Sequence, residues 1–451
     1  MKKVLVIGGG IAGMSASIRL IDAGFQVTLL ERSASPGGRI KKLTPRGHAK
    51  DIDRGQHLML GCYHEALALV KRLGTQNQLQ RVMGTTPFLS GPGQIHPYRL
   101  GRLPSPLHAL PGLLGLTQLG LMDRLALGRV VLDAKLQILL DPGKLDGLSA
   151  QRWLTRNGQS PKAMHGFWEP LTVATLNLPT KQASALLLAT VLDKGLFARQ
   201  RDAVPLLPKT TLHDLFIAPL HKAIETGGGR VVCRETAREI AVGESSGLVE
   251  SVTTQSGRIF DADFFLLAIP PWDVPLLLKK NSELEWVSNC AERLSFSPIV
   301  GIELWYDRNW MRYPYAGLLN SPLQWIFNHN QDSQLGQNGG SYRVSLVISH
   351  AKKQIKSQAE ELVAECASEV GRFFPEAQQA KLLGSLVIRA PKATFRAAPG
   401  QALLRPPTET NLKNLFLAGD WTDTGLPSTI ESAVISGRMA DEAIKRRLPI
   451  G

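Results

Sequence analysis

A short β-branched run, Lys3-Val4-Leu5-Val6-Ile7, breaks directly into Gly8-Gly9-Gly10-Ile11-Ala12-Gly13. A run of this length that stops at glycines reads as a buried parallel strand. The residues after it fit G-x-G-x-x-G. Gly8 permits a tight turn, and Gly10 lets backbone approach a pyrophosphate. Gly13, with Ala16 one turn later, lets the following helix lie close to the strand. That helix is expected to run to Ala23, with Gly24 as its stop. Its first residues, Ile11 and Ala12, present amides and the positive dipole end to phosphates. A second strand, Gln26 to Leu30, ends at Glu31, 18 residues after Gly13. Glu31 is placed to accept hydrogen bonds from an adenosine ribose, with Arg32 beside it. Strand, glycines, helix, strand and acid in this order predict a dinucleotide site, where glycines alone would predict only a turn. Ser35-Pro36-Gly37-Gly38-Arg39 then offers a second glycine turn, with Gly38 and Arg39 as a further phosphate contact.

The choice of dinucleotide rests on the C-terminal region. The apolar strand Leu415-Phe416-Leu417-Ala418 ends in Gly419-Asp420, and Ser428-Thr429-Ile430-Glu431 reads as a capping box opening a helix. Ile430, Ala433, Val434 and Gly437 recur with the helical period. Asp420 therefore stands at the carboxyl edge of a strand, where open α/β sheets bind ligands. A ribityl chain has hydroxyls for Asp420. A flavin pyrimidine edge turns negative on reduction, and the Thr429 and Ile430 amides suit that charge. A nicotinamide needs neither feature, so FAD is the cofactor expected.

With 451 residues, two domains are expected. The formal charge of +14 favours anionic partners, but basic residues are scattered, so no nucleic-acid partner is expected. Cys62, Cys233, Cys290 and Cys366 are far apart and form no CxxC pair, which suggests a reducing compartment and no metal site. The apolar N-terminus resembles a short signal peptide, but its glycines are better explained by the dinucleotide turn.

Gly227-Gly228-Gly229 precedes a strand, Arg230 to Cys233, and so is not a second fingerprint. A small meander is expected from Arg238 to Phe260, then a buried strand over 264–269 stopped by Pro270-Pro271. Residues 1–75, 205–275 and 405–451 are assigned to a discontinuous cofactor domain, and 76–204 and 276–404 to an inserted substrate domain. Within 103–132, Leu107 to Met122 is leucine-rich and carries no formal charge beyond a protonated His108. It is too short and broken to cross a bilayer. Two readings stand side by side: a segment lying in a membrane interface, or a wall of an internal pocket.

Over nearly its whole length the chain resembles the flavin amine oxidase and phytoene desaturase superfamily. Asp51-Ile52-Asp53-Arg54-Gly55-Gln56-His57-Leu58-Met59-Leu60-Gly61-Cys62-Tyr63 is similar to the signature of the hydroxysqualene dehydroxylase family, with Arg54 where asparagine is expected. Phe167 to Asn177 and Gly419 to Glu431 resemble two further stretches of that family. The resemblance implies an α/β fold: a Rossmann-like FAD-binding domain of glutathione-reductase type with an inserted mixed α+β substrate domain. It implies removal of the allylic hydroxyl of hydroxysqualene to give squalene, within hopanoid biosynthesis, using reduced, noncovalent FAD. Ionising an allylic alcohol leaves a delocalised cation that hydride from flavin N5 can quench, and an acid should protonate the departing hydroxide. Asp53, His57 and Glu169 are the acid candidates, with structural roles as the competing reading for each. Gly55, Gln56 and His57 join the cofactor set. The implied partners are a long apolar isoprenoid, a membrane surface and an electron donor that the sequence does not identify. The implied location is the cytoplasm, at the inner face of the cell membrane.

Three other readings compete. A polyprenyl or carotenoid desaturase would use oxidised FAD on a similar hydrocarbon. An amine oxidase fits less well, without an aromatic-rich C-terminal region or a cysteine between 419 and 431. A prenyl-binding chaperone of the same fold would not need Gly8, Gly10, Gly13, Glu31 and Asp420 together.

Overall fold

A computed structural model describes the chain except for residues 46–49, 84, 102–104, 106–107, 109, 116–118, 244–245, 330–340 and 449–451. Five parallel strands form the cofactor sheet, in the order Arg230–Cys233, Gln26–Glu31, Lys3–Ile7, Phe264–Leu267, Leu415–Leu417. Register is set by apolar pairing: Val6 lies opposite both Leu29 and Leu266. Because the strands are parallel, Gly8, Ala268 and Gly419 follow three carboxyl ends at one edge, beside Glu31, which closes a fourth.

Alternate residues of Lys3–Ile7 feed two cores. Val4 and Val6 pack with the helices Ile11–Asp22 and Ile430–Lys445. Leu5 and Ile7 pack against Ile240 and Val252 of the antiparallel meander and Leu277 and Val287 beyond it. The two long helices meet at small residues: a Cβ on Gly437 would collide with Ser15 and the Ala12 carbonyl. Gly8 has φ +115°, and any side chain there would run into the Ala268 carbonyl. A Cβ on Gly13 would fall on the Gly8 carbonyl oxygen, so its role is close packing, as expected. The first helix ends at Asp22, and Gly24 adopts φ +87°.

A second sheet has seven strands, ordered Leu382–Phe395, Phe296–Tyr306, Tyr342–Ser349, Trp325–Asn328, Tyr315–Leu318, Thr85–Gly91, Gln94–Arg99. Val300, Ile302 and Leu304 face the helix Ala359–Phe373, packing on Leu362, Val370 and Phe373. The intervening Ile299 and Gly301 face a cavity instead. A cluster of helices, including Leu121–Leu140, Ala150–Arg156, Glu169–Leu176 and Ala185–Val191, covers the remaining side. Met164–Trp168, Leu192–Leu196 and His213–Ile217 wind as π-helical turns, a geometry that recurs at functional sites.

The apolar segment at 103–132 is in part outside the described residues. Its described portion includes a helix that continues past the expected end, Leu121–Leu140. Leu127, Val130 and Ala134 are buried on one face, while Leu121, Leu125, Leu132, Leu136 and Leu139 are exposed on the opposite one. Among the described residues, no helix is long and apolar enough to cross a membrane.

The expected capping box is displaced by one residue. Thr429, not Ser428, is the N-cap, accepting from the Ser432 amide at 3.0 Å. Ser428 donates to Asp420 instead. Glu431 does not reach back to its own helix start. It accepts from the Glu65 and Ala66 amides at 2.9 and 2.8 Å, capping the helix His64–Arg72. Orphan amides of a neighbouring helix hold the carboxylate better than its own N-cap does.

Candidate active site

One cavity of about 1620 Å³ runs from the edge of the parallel sheet to the inner face of the seven-stranded sheet. Pockets for a single drug-sized molecule span roughly 300–1,000 Å³, so this one has room for a dinucleotide and a long second molecule.

At the sheet edge the walls are largely backbone. Gly8, Gly10, Ile11 and Ala12 line the cavity from the first turn, Gly38 and Arg39 from the second, and Gly419 and Asp420 from the last strand. A Cβ on Gly10 would meet nothing within 4 Å, so the space above that backbone is open to a ligand. Glu31 is buried, its Oε2 accepting from the Gly9 amide at 2.9 Å and its Oε1 from the Ser33 amide at 2.8 Å. These bonds fix the carboxylate and leave further lone pairs for ribose hydroxyls. Arg32 reaches the wall but pairs with Asp273 at 2.8 Å. Ser428, Thr429 and Ile430 complete this end, as do Gly55 and Gln56.

Asp420 and Arg39 form a bidentate pair: Nη1 reaches Oδ2 at 3.0 Å and Nη2 bonds Oδ1. Arg39 also donates to the Ala393 carbonyl at 3.1 Å. Burial pushes the Asp420 pKa upward, but Arg39 and the Ser428 hydroxyl outweigh it and hold the carboxyl below its ordinary value. Arg39, expected on phosphate, and Asp420, expected on the ribityl chain, are thus also bonded to each other. The two residues hold each other, and the pair as a unit faces the cavity.

His57 faces the cavity, its ring accessible from the open space there while protein packs around that opening. Burial lowers its pKa, and nearby Arg39 adds to the effect, against the opposing bond to Gly55. Its Nδ1 lies 2.7 Å from the Gly55 carbonyl oxygen. A carbonyl can only accept, so Nδ1 carries hydrogen and Nε2 of the neutral ring holds the lone pair. Asp53, the second acid candidate, is not hydrogen-bonded to His57. Asp53 is outside the cavity wall and accepts from the Leu212 amide at 2.8 Å. Burial pushes its pKa up to about 7, against that bond and the attraction of Arg343. Glu169 reaches the wall, but its Oε2 accepts from the Thr180 amide at 2.9 Å and hydroxyl at 2.5 Å. It caps a turn and has one oxygen left toward the cavity.

Away from the sheet edge the walls are apolar and aromatic: Phe88, Phe167, Trp325, Phe327, Val347 and Ile388. Phe88 and Trp325 pack with ring centroids 5.8 Å apart and planes tilted by 59°. Cys62 also lines the wall, and burial pushes its thiol up to about 12, so it is no nucleophile at neutral pH. Sequence reasoning missed Trp272, Lys392 and Thr394, and the Glu235-Thr236 turn. Pro270, which closes the strand after Phe264–Leu267, marks the same carboxyl edge as Gly8 and Gly419. The rule that placed Asp420 there applies equally to it.

A glycine cradle, an acid-stabilised turn and an apolar extension define a flavin oxidoreductase. The family model for flavin-containing amine oxidoreductases matches residues 11–444, and the chain belongs to that family. FAD is its cofactor, and the glycine-lined end fits it. A zeta-carotene desaturase of Solanum lycopersicum is 28% identical over 98% of this chain and 80% of its own. A hydroxysqualene dehydroxylase of Rhodopseudomonas palustris is 27% identical, over 98% of both chains. Among solved structures, an oxidoreductase from Methanosarcina mazei superposes with TM-score 0.75 at 17% identity, covering 98% of this chain and 100% of that one. A putrescine oxidase double mutant gives 0.74 at 15% identity, covering 99% of each. At such identities the structural likeness concerns the fold alone.

Proposed function

We propose that the chain removes the allylic hydroxyl of hydroxysqualene to give squalene, with noncovalent FAD, on the pathway to hopanoids. The observation that carries this reading is the continuity of one cavity, glycine-lined at one end and aromatic at the other, with the imidazole of His57 on the wall near Arg39 and that of His165 elsewhere on the same wall. A long hydrocarbon fits such a wall, and one hydroxyl needs one polar partner. Reduced FAD, when bound, would supply a hydride, which carries both of the electrons the reduction needs. The alcohol carbon gains that hydride, the C–O bond breaks, and water leaves with one added proton. Residues 76–204 and 276–404 form the substrate domain in this reading. The aromatic wall excludes bulk water from the ionising carbon. His57 accepts the substrate hydroxyl at Nε2 when neutral and gives it a proton when charged. The exposed leucine face of Leu121–Leu140 is proposed to rest on the inner face of the cell membrane, in the cytoplasm, where such a substrate resides.

Carotene desaturase relatives support a second reading, in which oxidised FAD takes hydride from a hydrocarbon of similar length. Anaerobic incubation of photoreduced holoprotein with hydroxysqualene, read by product mass, separates the two. Squalene is expected. An unchanged alcohol, together with new conjugation when the oxidised protein meets a polyene, would replace the first reading by the second.

A further inference from the structure

A second recess, of about 710 Å³, lies behind one wall of the main cavity. The two share a turn: Leu60, Cys62 and Tyr63 face the main cavity, while Gly61 and His64 face the recess. That wall is sealed by backbone bonds, Gly61 to the Val204 carbonyl and Cys62 to the Asp202 carbonyl, both 2.9 Å. A Cβ on Gly61 would collide with the Arg201 carbonyl. The recess is therefore a site of its own and not a mouth of the active-site cavity.

Its chemistry is lopsided. Lys71 stands two turns along the helix from His64, on the same face. Arg81 comes from the strand Leu79–Arg81, and Arg199 and Arg201 from the turn before Ala203. Four permanent cations thus surround one carboxylate, Asp202. That carboxylate is buried and already engaged: its Oδ1 lies 2.8 Å from His64 Nε2 and 3.9 Å from Arg201 Nε. Lys71, Arg81 and Arg199 have no carboxylate partner among the described residues. Like charges converging on a concavity repel one another unless an anion enters. Guanidinium forks match a phosphate through paired hydrogen bonds, and several cations suit its multiple charge better than that of a single carboxylate.

We propose that this recess binds a phosphate group, carried by a phospholipid head group or by a soluble phosphate ester. The proposal does not depend on which reaction the main cavity performs. The same stretch of chain also bears on the apolar segment. Ser105 donates to the Phe197 carbonyl at 2.8 Å, and His108 Nε2 bonds the Leu196 carbonyl at 3.0 Å, two to five residues before Arg199 and Arg201. A lipid phosphate seated in the recess would therefore be coupled to that segment through 196–201.

The test uses FAD-loaded protein and the triple variant Lys71→Gln/Arg81→Gln/Arg199→Gln. Inorganic pyrophosphate is titrated by calorimetry. Vesicles of phosphatidylcholine, with and without phosphatidylglycerol, are tested by co-sedimentation, with glycerol phosphate as competitor. Wild type is expected to bind pyrophosphate at low salt and release it as salt rises, and the variant to bind roughly 10²-fold more weakly with its flavin retained. Vesicle binding that needs phosphatidylglycerol and yields to glycerol phosphate identifies the lipid source. Pyrophosphate binding without vesicle binding identifies a soluble ester. Wild type that binds neither probe, or a variant that binds both as wild type does, overturns the proposal. Should the triple variant lose its flavin, Arg199→Gln alone is measured, with a loss of about fivefold expected.

Discussion

The two ends of the main cavity are built by different means. The sheet-edge end is made of backbone, placed by three parallel strands that stop at one edge, and its key residues lack side chains: Gly8, Gly10, Gly38 and Gly419. The far end is made of side chains from strands of the seven-stranded sheet and from the π-helical turn Met164–Trp168, with aromatic rings as its wall. Backbone geometry tolerates no substitution, because a Cβ at Gly8 or Gly13 has nowhere to go. An aromatic wall tolerates many, because volume and apolarity are what it supplies.

The sharpest way to break this comparison is at Gly13. Gly13→Val drives a branched side chain into the Gly8 carbonyl and Val6. Loss of folded, flavin-loaded protein is expected, read as flavin absorbance per mole after gel filtration. Phe327→Leu, at the opposite end, should keep full flavin and change activity by less than about tenfold. Equal losses at both ends would remove the distinction.

Next comes the pair that closes the cofactor end. Arg39→Ala strands Asp420, a buried carboxylate, with only Ser428 left as side-chain partner. Breaking a fully buried pair costs about 3–5 kcal/mol, and because the Arg39 side chain is 45% exposed the loss here is expected to be smaller, about 1–3 kcal/mol. A fall in melting temperature and weaker flavin retention on dialysis should accompany each other. The double variant Arg39→Leu/Asp420→Asn should recover much of the stability and little of the flavin. If it recovers both, the pair serves the fold alone.

His57 sits between the two ends, and its effect divides them. His57→Gln should keep FAD and slow dehydroxylation by roughly 10²–10⁴-fold. Its lowered pKa sets the sign of the pH effect. The charged, proton-giving ring becomes more abundant as pH falls through a value below 6.5. The wild-type rate should therefore climb as pH drops from 8 toward 5.5, and the variant's should not. A flat wild-type profile would leave His57 with a binding role only. Glu169→Gln belongs to the turn more than to the chemistry. Its loss is expected near 1 kcal/mol in stability, from weakened bonds to Thr180, with the rate nearly unchanged.

The same division decides what was legible in the sequence. The cofactor end could be read because its requirements are local: a strand end, three spaced glycines, an acid 18 residues on. Asp420 was legible from the strand before it, but its bond to Arg39 joins residues 381 apart. Ser428 and Glu431 matched a capping box, and each instead serves a partner from elsewhere in the chain, Asp420 and the helix at Glu65. Leu121–Leu140 blurred its own period by carrying apolar residues on both faces, one buried and one exposed. Of the aromatic wall, Phe167 fell in a family-like stretch, while Phe88 and Trp325 lie in no local motif and left no signature.

Asp53 carries the smallest effect, and it tests whether the 51–63 signature belongs to the cavity or to its support. Its folded pKa of about 7 stands above the ordinary carboxyl value of 3.8, so the fold favours the protonated form. The associated stability is complete below about pH 4 and is lost as pH rises through 7. Asp53→Asn removes that loss, and its oxygen can still accept from the Leu212 amide. The new amide hydrogens need partners in a mostly buried place, which takes back about 1–3 kcal/mol. The net expectation is a gain of about 1 kcal/mol at pH 8, a melting-temperature rise of roughly 2 °C, and none at pH 4. Activity should hold, since Asp53 is outside the cavity wall. A large fall in rate at unchanged flavin content would instead bring Asp53 into the proton's route, with the carboxyl near neutrality as its donor.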